Sequence, residues 1–258
     1  MKKILTDLTV VSNTPCGQNF TLMKLQADVD LPPIRPGQFA ELRVDGSPST
    51  FLRRPISINM ADAEKRQVWF LIQLVGDGTR HLASLKAGDK LNTVLPLGNG
   101  FTLDLPAGAR PLLVGGGAGT APMLFLGKTL KDRGVQPTFI LGARTKDVLT
   151  EMDEFEQLGN VNVTTEDGSL GERGYVTQHS VLHDGGFTHV FCCGPKPMMM
   201  AVARYAHGAG IECEVSLENK MACGLGACLC CVENTVGGHR CVCTDGPVFN
   251  INDLLWQI

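Results

Sequence analysis

The sequence predicts a β domain, then a parallel α/β domain, and then a small cysteine-rich segment. Short apolar runs broken by turn residues fill the first part of the chain, strand and helix patterns alternate in the middle, and six cysteines crowd into residues 223–243. At roughly 150 residues per domain, 258 residues correspond to about two domains. The cysteine-rich segment is therefore expected to be a small subdomain.

Residues 1–105 are predicted to form an antiparallel β-barrel. Turn residues such as Pro36-Gly37 and Asp77-Gly78 separate short runs of β-branched and apolar side chains. Several short strands at this spacing are typical of a barrel or a sandwich. The predicted strands cover residues 5–11, 20–25, 39–44, 68–75 and 90–95.

Residues 106–216 are predicted to form a Rossmann-like parallel α/β domain, because strands and helices alternate along them. The predicted strands cover residues 111–114, 138–141, 161–164, 189–193 and 211–216. One predicted helix ends near residue 133, and three others cover residues 148–157, 176–182 and 197–207. Residues 217–258 then contain the cysteine-rich loop.

The composition excludes several classes of protein. Apolar residues make up 43% of the chain and charged residues 19%, which is ordinary for a folded domain. A net charge of −3 gives no basic field for nucleic acid or an anionic membrane. There is no run of about 18 apolar residues, and Asp7 comes before any long apolar run, so neither a membrane span nor a signal peptide is predicted. Ten cysteines in a chain expected to be cytoplasmic indicate metal or redox chemistry rather than disulfides.

Four cysteines have the spacing of an iron–sulfur site. Cys223, Cys228, Cys231 and Cys243 match the plant-type [2Fe–2S] pattern of C-x₄-C-x₂-C followed by a distant cysteine. Cys241 competes with Cys243 for the fourth place. A structural zinc site and disulfides are the alternatives, although zinc ribbons usually present two C-x₂-C pairs.

The other cysteines are interpreted more simply. Cys230 lies between two ligands and is expected to point away from the site. Cys16, Cys192 and Cys213 are expected to be small apolar side chains that need no function.

Glycine-rich turns predict phosphate sites. Gly115, Gly116, Gly117 and Gly119, with Thr120, lie between a predicted strand and helix, where backbone N–H groups can approach a dinucleotide pyrophosphate. In the barrel, the arginine pair at residues 53–54 and the turn at residues 76–79 are further candidate anion sites. A purely structural turn is the alternative in each case.

The order of these motifs resembles the ferredoxin–NADP reductase superfamily over residues 1–216. The motifs are Arg-Pro-x-Ser, Gly-x-Gly-Thr, the glycine-rich loop and Cys-Gly-Pro. The resemblance implies FAD bound by Arg54, Pro55, Ile56, Ser57, Leu71, Ile72, Gln73, Gly78 and Thr79. Many members have Tyr at the position of Ile56, which cannot stack on the flavin in the same way.

The same resemblance implies that Cys193, Gly194 and Pro195 lie beside the nicotinamide. In NADP-using relatives, Ser and Arg follow the third strand of the nucleotide domain, but here Glu166 and Asp167 occupy that region. Carboxylates repel a 2′-phosphate and can bind a ribose hydroxyl, so NAD is predicted over NADP. The six histidines are scattered and form no acid–base constellation, so no catalytic residue is assigned.

Together, the barrel, the nucleotide domain and the loop Met-x-Cys-Gly-x-Gly-x-Cys-x-x-Cys resemble the electron-transfer subunits of class 1B dihydroorotate dehydrogenases. This resemblance implies that the four cysteines above ligate a [2Fe–2S] cluster. It also implies a heterotetramer with two FMN-containing catalytic subunits that oxidise dihydroorotate in pyrimidine (UMP) biosynthesis. Electrons would run from FMN through the cluster and FAD to NAD⁺, because FAD exchanges both single electrons and hydride.

Two competing interpretations remain at this point. The first is the small subunit of an NADH-dependent ferredoxin:NADP transhydrogenase or a sulfide dehydrogenase, some of which replace one cysteine ligand with aspartate. The second is a zinc-stabilised nucleotide-binding regulator without turnover.

Overall fold

The structure is a computed structural model that describes residues 2–257. The described chain forms two seven-stranded sheets and one two-stranded hairpin. The first-sheet strands are β1 (Ile4–Pro15), β2 (Phe20–Gln26), β3 (Phe39–Leu42), β4 (Arg54–Ser57), β5 (Met60–Asp62), β6 (Gln67–Gln73) and β7 (Lys90–Leu97). The remaining strands are β8 (Pro111–Gly116), β9 (Thr138–Ala143), β10 (Asn160–Thr165), β11 (Glu172–Arg173), β12 (His189–Cys193), β13 (Glu212–Ser216), β14 (Val232–Thr235), β15 (Gly238–Cys241) and β16 (Val248–Asn250). The helices are α1 (Asp77–Ser84), α2 (Thr120–Asp132), α3 (Met152–Leu158) and α4 (Lys196–Gly208).

The first sheet is an antiparallel half-barrel. Its strand order is β4-β3-β7-β1-β2-β6-β5, and the sheet curls until β4 contacts β6. Successive side chains of each strand point to opposite faces, so one face of the sheet forms the core. In β2, Met23 and Leu25 are fully buried, whereas Lys24 between them lies over the ring of Trp69 on the outer face. The predicted β domain is confirmed.

The second sheet is a parallel α/β sheet with one antiparallel edge strand. Its order is β11-β10-β9-β8-β12-β13-β16, and only β16 runs antiparallel to its neighbour. All six residues of β8 are buried, as expected for a central parallel strand covered on both faces. The strand order reverses between β8 and β12, and crevices at such reversals are where open α/β sheets bind ligands.

Two predicted helices differ from the structure. The helix expected at residues 148–157 begins only at Met152, because Glu151 has a left-handed φ of 56° that cannot continue a helix. The segment at residues 176–182 forms two short 3₁₀ turns, Val176–Gln178 and Ser180–Leu182, separated by His179 in an extended conformation.

The cysteine-rich segment is packed onto both larger domains. Its strand β16 pairs with β13 of the second sheet. Its buried residues Cys231, Val242 and Cys243 share an apolar core with Phe39 of the barrel. The loop is therefore held against both domains at once. A division into residues 1–105, 106–216 and 217–258 stays a prediction, since the last two parts share a sheet.

Candidate functional site

A cleft of about 500 Å³ opens where the barrel, the α/β sheet and the cysteine-rich segment meet. Its barrel wall includes Arg54, Pro55, Ile56, Ser57, Leu71, Gln73, Gly78 and Thr79, which are the residues predicted to hold FAD apart from Ile72. Ile72 is fully buried in the barrel core, because successive side chains of β6 point to opposite faces. Ile72 can therefore face the cleft only with its backbone.

One end of the cleft is built for an anion. Helix α1 begins there, so the backbone N–H groups of Gly78 and Thr79 and the positive end of the helix dipole point outward. A Cβ placed on Gly78 would lie 3.0 Å from Arg54 Cδ, so glycine permits the arginine to lie against the helix end. This arrangement suits a pyrophosphate.

The hydroxyl of Thr79 is already committed to the helix cap. It accepts hydrogen bonds from Val75 N at 3.0 Å and Gly76 N at 3.1 Å, and it donates to Gly76 O at 3.0 Å. Thr79 therefore offers a ligand its backbone N–H rather than its side chain. The helix start would be rigid before any ligand arrives.

Part of the cleft wall is apolar. Phe39, Ile56 and Leu71 are among its lining residues. Ile56 supplies an aliphatic surface there instead of an aromatic ring. The volume, the apolar wall and the anion end together fit a flavin dinucleotide.

The four predicted cluster ligands come together as two pairs. The thiol of Cys223 interacts with that of Cys228, and the thiol of Cys243 interacts with that of Cys231. A [2Fe–2S] centre has two irons and four cysteine ligands, so two thiolates per iron match this pairing. Among residues 2–257, no three His, Cys, Asp or Glu side chains are already gathered around one point as a site for a single metal ion.

Backbone N–H groups of the loop point at these sulfurs. Gly226 N donates to Cys243 Sγ at 3.1 Å, and Cys243 N donates to Cys231 Sγ at 3.4 Å. Leu225 N and Cys228 N both donate to Cys223 Sγ at 3.4 Å, and these bonds lower the pKa of Cys223 to about 6. Gly224 and Gly226 have left-handed φ values of 66° and 81°, which curl the loop inward. The donor set thus fits a thiolate-bound cluster.

The two pairs differ in exposure. Cys231 and Cys243 are 2% and 0% exposed, and burial is the main cause that raises the pKa of Cys243 to about 12. Cys228 is exposed at the surface together with Cys230. One pair therefore faces the protein interior, and the other pair lies at the surface.

The glycine-rich loop lies at the strand-order reversal, against the Cys-Gly-Pro turn. A Cβ on Gly119 would lie 2.3 Å from Cys193 O, and one on Gly116 would lie 2.5 Å from Met198 Sδ. Gly115 is closed off by Thr120 in the same way. Tight packing within the protein therefore accounts for three of the four glycines. Gly117, with φ of 56° and open space around it, remains free to approach a ligand.

Cys193 faces a carboxyl group at the edge of the cleft. Its thiol is 1% exposed and donates to Glu218 Oε1 at 3.9 Å, and Glu218 lines the cleft. Burial raises the pKa of both groups, so the thiol is neutral. The cleft wall beside Cys193 is thus the carboxyl group of Glu218, to which no sequence motif pointed.

Glu166 and Asp167 lie in the turn after β10, at the same edge of the sheet as the glycine-rich loop. Asp167 accepts hydrogen bonds from Ser169 N at 3.0 Å and Ser169 Oγ at 2.7 Å, which lower its pKa. Asp167 is therefore occupied in shaping the turn. Glu166 is exposed in the same turn.

Several residues that line the cleft were not predicted from the sequence. Besides Glu218, they include Ser49, Thr50, Asn219, Met221 and Pro247. Met221 comes two residues before Cys223, and Pro247 comes four residues after Cys243. The adjacent cysteine motif was the available signal, but only the folded chain brings these two residues to the flavin side.

Comparisons with known proteins agree with this geometry. A family model described as the iron–sulfur cluster binding domain of dihydroorotate dehydrogenase B matches residues 218–255, and one described as an oxidoreductase NAD-binding domain matches residues 113–204. The electron transfer subunit of dihydroorotate dehydrogenase B (NAD(+)) from Shouchella clausii is 39% identical over 99% of this chain and 100% of its own length. The subunit of the same name from Caldanaerobacter subterraneus is 44% identical over 86% of this chain and 87% of its own.

Solved structures show the same fold. A structure of an NADH-dependent reduced ferredoxin–NADP oxidoreductase superposes with a TM-score of 0.87 at 30% identity, covering 96% of this chain and 90% of that one. Phthalate dioxygenase reductase superposes with a TM-score of 0.65 at 19% identity, covering 84% of this chain and 70% of that one, and shows the fold alone.

The fold and the site define an oxidoreductase subunit of the ferredoxin–NADP reductase type with an added iron–sulfur segment. Among such proteins, the chain belongs to the family of electron transfer subunits of dihydroorotate dehydrogenase B (NAD(+)). Among residues 2–257, no helix is both long and apolar enough to cross a membrane.

Proposed function

We propose that this chain passes electrons from the FMN of a dihydroorotate dehydrogenase catalytic subunit through a [2Fe–2S] cluster and FAD to NAD⁺. The reaction would serve pyrimidine (UMP) biosynthesis in the cytoplasm. The names of the relatives support the NAD-linked dehydrogenase system, and the matched family models support the iron–sulfur and NAD domains.

One observation carries the proposal: a single cleft is lined by the predicted FAD residues and by residues adjoining the cluster cysteines. Met221 and Pro247 face the same space as Arg54 and Ile56. Consecutive Cα atoms are 3.8 Å apart, so Met221 and Cys223 are separated by at most about 7 Å along the backbone. A flavin in the cleft and a cluster in the loop would therefore be near neighbours.

Each predicted site residue has a proposed task. Arg54, with the N–H groups of Gly78 and Thr79, holds the FAD pyrophosphate, and the remaining barrel residues of the cleft surround the flavin. Gly117 and the start of α2 receive the NAD pyrophosphate, and Cys193, Gly194 and Pro195 flank the nicotinamide. Cys223, Cys228, Cys231 and Cys243 are the cluster ligands. FAD supplies the conversion between hydride and single-electron transfer.

NADH is expected to be preferred over NADPH. The Glu166 carboxylate would repel a 2′-phosphate at the carboxyl edge of the sheet. With a dye as electron acceptor, kcat/KM for NADPH should be at least about tenfold lower than kcat/KM for NADH. Glu166→Gln should make the difference between the two kcat/KM values smaller. Asp167→Asn is the neighbouring control. Equal rates with both nucleotides in the unmodified protein would refute the preference.

The partner is proposed to dock over the exposed edge of the cluster loop, in a heterotetramer with two FMN-containing catalytic subunits. Leu225 and Leu229 are 52% and 64% exposed there, beside the surface cysteine pair. Exposed apolar side chains next to a redox centre suit a protein interface.

Leu229→Asp should weaken association with the catalytic subunit by about tenfold or more, since a buried charge would enter the interface. Leu5→Asp is the matched control, because Leu5 is also 64% exposed but lies on barrel strand β1. Analytical ultracentrifugation of the mixed subunits measures the effect. Equal weakening by both substitutions would remove the loop from the interface.

The proposed function is tested by co-expression with the catalytic subunit. The purified complex should contain FAD, FMN, iron and sulfide, and it should reduce NAD⁺ when dihydroorotate is added. A complex that oxidises dihydroorotate with a dye but not with NAD⁺ would argue against the proposal. A colourless pure protein would instead favour a zinc-stabilised regulator.

The transhydrogenase alternative is less well supported. The solved structure of that type is 30% identical, whereas the dihydroorotate relatives reach 39% and 44%. All four ligand positions are also cysteine here, while some members of that group use aspartate.

A further inference from the structure

Glu41 is a buried carboxyl group on a barrel strand. It lies on β3, opposite Pro55 of β4, and its side chain is 1% exposed. Its neighbours Ala40 and Leu42 point into the barrel core, so Glu41 points out of the barrel. Burial raises its pKa to about 7.

The side chain is pressed against the cysteine loop. A Cβ placed on Gly224 would lie 2.7 Å from Glu41 Cγ and 2.8 Å from Glu41 Oε1, so the loop backbone can approach the carboxyl group only because residue 224 is glycine. Gly224 adjoins Cys223, one of the proposed ligands. The carboxyl group is therefore within a few ångströms of the iron–sulfur site.

No hydrogen bond satisfies this carboxyl group within residues 2–257, since both Oε1 and Oε2 are buried without a partner. Arg53 contacts Glu41 only through the backbone, since its Nη1 donates to the backbone oxygens of Glu41 at 3.2 Å and Asn92 at 3.1 Å. Arg54 also influences the group electrostatically, and so does the Cys223 thiol. Burying a carboxylate without a hydrogen-bonded partner is costly, and an apolar residue would fill this position more cheaply.

We propose that Glu41 is a positioning residue that holds a negative charge beside the cysteine loop. This charge lowers the reduction potential of the cluster that the loop holds. Reduction adds one electron and hence one negative charge to the cluster, and a fixed carboxylate in a low-dielectric position opposes that addition. The inference rests on the proposed function, because it requires the cluster to be present.

The test is the cluster's midpoint potential, measured by a redox titration followed by electron paramagnetic resonance. The titration is run on the FAD-loaded full chain at about pH 8.5, several units above the ordinary pKa of a glutamic acid side chain. Glu41→Gln should increase the ratio of reduced to oxidised cluster at least about tenfold at a fixed ambient potential. This corresponds to a rise of about 59 mV in the midpoint potential of a one-electron couple.

Two controls separate charge from packing. Glu41→Asp keeps the charge and should stay within about threefold of the unmodified protein. Asp45→Asn removes a carboxylate that is 60% exposed and paired with Arg43. This substitution should change the ratio of reduced to oxidised cluster less than about twofold, because solvent screens the Asp45 charge. Glu41→Leu is a second charge-free variant that fills the buried position.

Each outcome decides the inference. The role of Glu41 is supported if the midpoint potential rises in Glu41→Gln or Glu41→Leu, whichever of the two retains the cluster. An unchanged potential overturns it, and loss of the cluster from both charge-free variants also overturns it, in favour of a purely structural role. If the unmodified protein shows no iron–sulfur absorption, the proposed function fails with it. A normal cluster with an unaltered potential refutes the role of Glu41 alone.

Discussion

Cys228→Ser is expected to abolish the iron–sulfur absorption of the purified protein while FAD remains bound. Cys228 pairs with Cys223 on the exposed side of the loop, so its loss would leave one iron with a single cysteine thiolate from this chain. The cleft residues proposed to hold FAD belong mainly to the barrel and do not include Cys228. Iron and sulfide should fall to near background, and flavin content should stay within about 20% of the unmodified protein.

Cys230→Ser is the matched control for this substitution. Cys230 is also exposed and lies only two residues away, but it is not the thiol that interacts with Cys223, which is that of Cys228. It should retain a normal cluster. A normal visible spectrum in Cys228→Ser, or a lost cluster in Cys230→Ser, would require a different ligand set.

Arg54→Ala is expected to weaken FAD binding strongly. A hydrogen bond to a charged group contributes about 1.5–3 kcal/mol, which corresponds to roughly 10- to 150-fold in the dissociation constant. Arg54 is the cation beside the start of α1, where the N–H groups of Gly78 and Thr79 converge. Fluorescence titration of the apoprotein with FAD measures the change.

Arg53→Ala provides the contrast, because the two adjacent arginines have different contacts. Arg53 donates to backbone oxygens of β3 and β7 and does not line the cleft. It should lower the melting temperature of the apoprotein but change FAD affinity much less than Arg54→Ala. Unchanged FAD affinity in Arg54→Ala would remove Arg54 from its proposed role.

The parts of the site that depend on local sequence could be predicted. The spacing of Cys223, Cys228 and Cys231 predicts a loop that carries three of the candidate ligands, and in the structure Cys243 lies beside Cys231. The glycine-rich turn between a strand and a helix could likewise be located. Its glycines, however, mostly serve close packing within the protein, against Cys193, Met198 and Thr120, and these contacts became visible only in the folded chain.

The remaining site residues depend on contacts between distant segments. Glu218 reaches the cleft because β13 lies next to β12, and Glu41 meets Gly224 because the cysteine loop folds back onto β3. Ile72 belongs to a predicted run, but strand alternation turns its side chain into the core. Glu151 has a left-handed backbone conformation that interrupts a predicted helix. This conformation cannot be predicted from the residue type, because glutamate rarely adopts it.

The most direct test of electron transfer through this chain is anaerobic reduction of the FAD- and cluster-loaded protein by NADH, without any partner. We expect flavin absorption to bleach and the paramagnetic signal of a reduced [2Fe–2S] cluster to appear, with the signal absent in Cys228→Ser. Bleaching of the flavin without any cluster signal, at a potential low enough to reduce the cluster, would contradict the account.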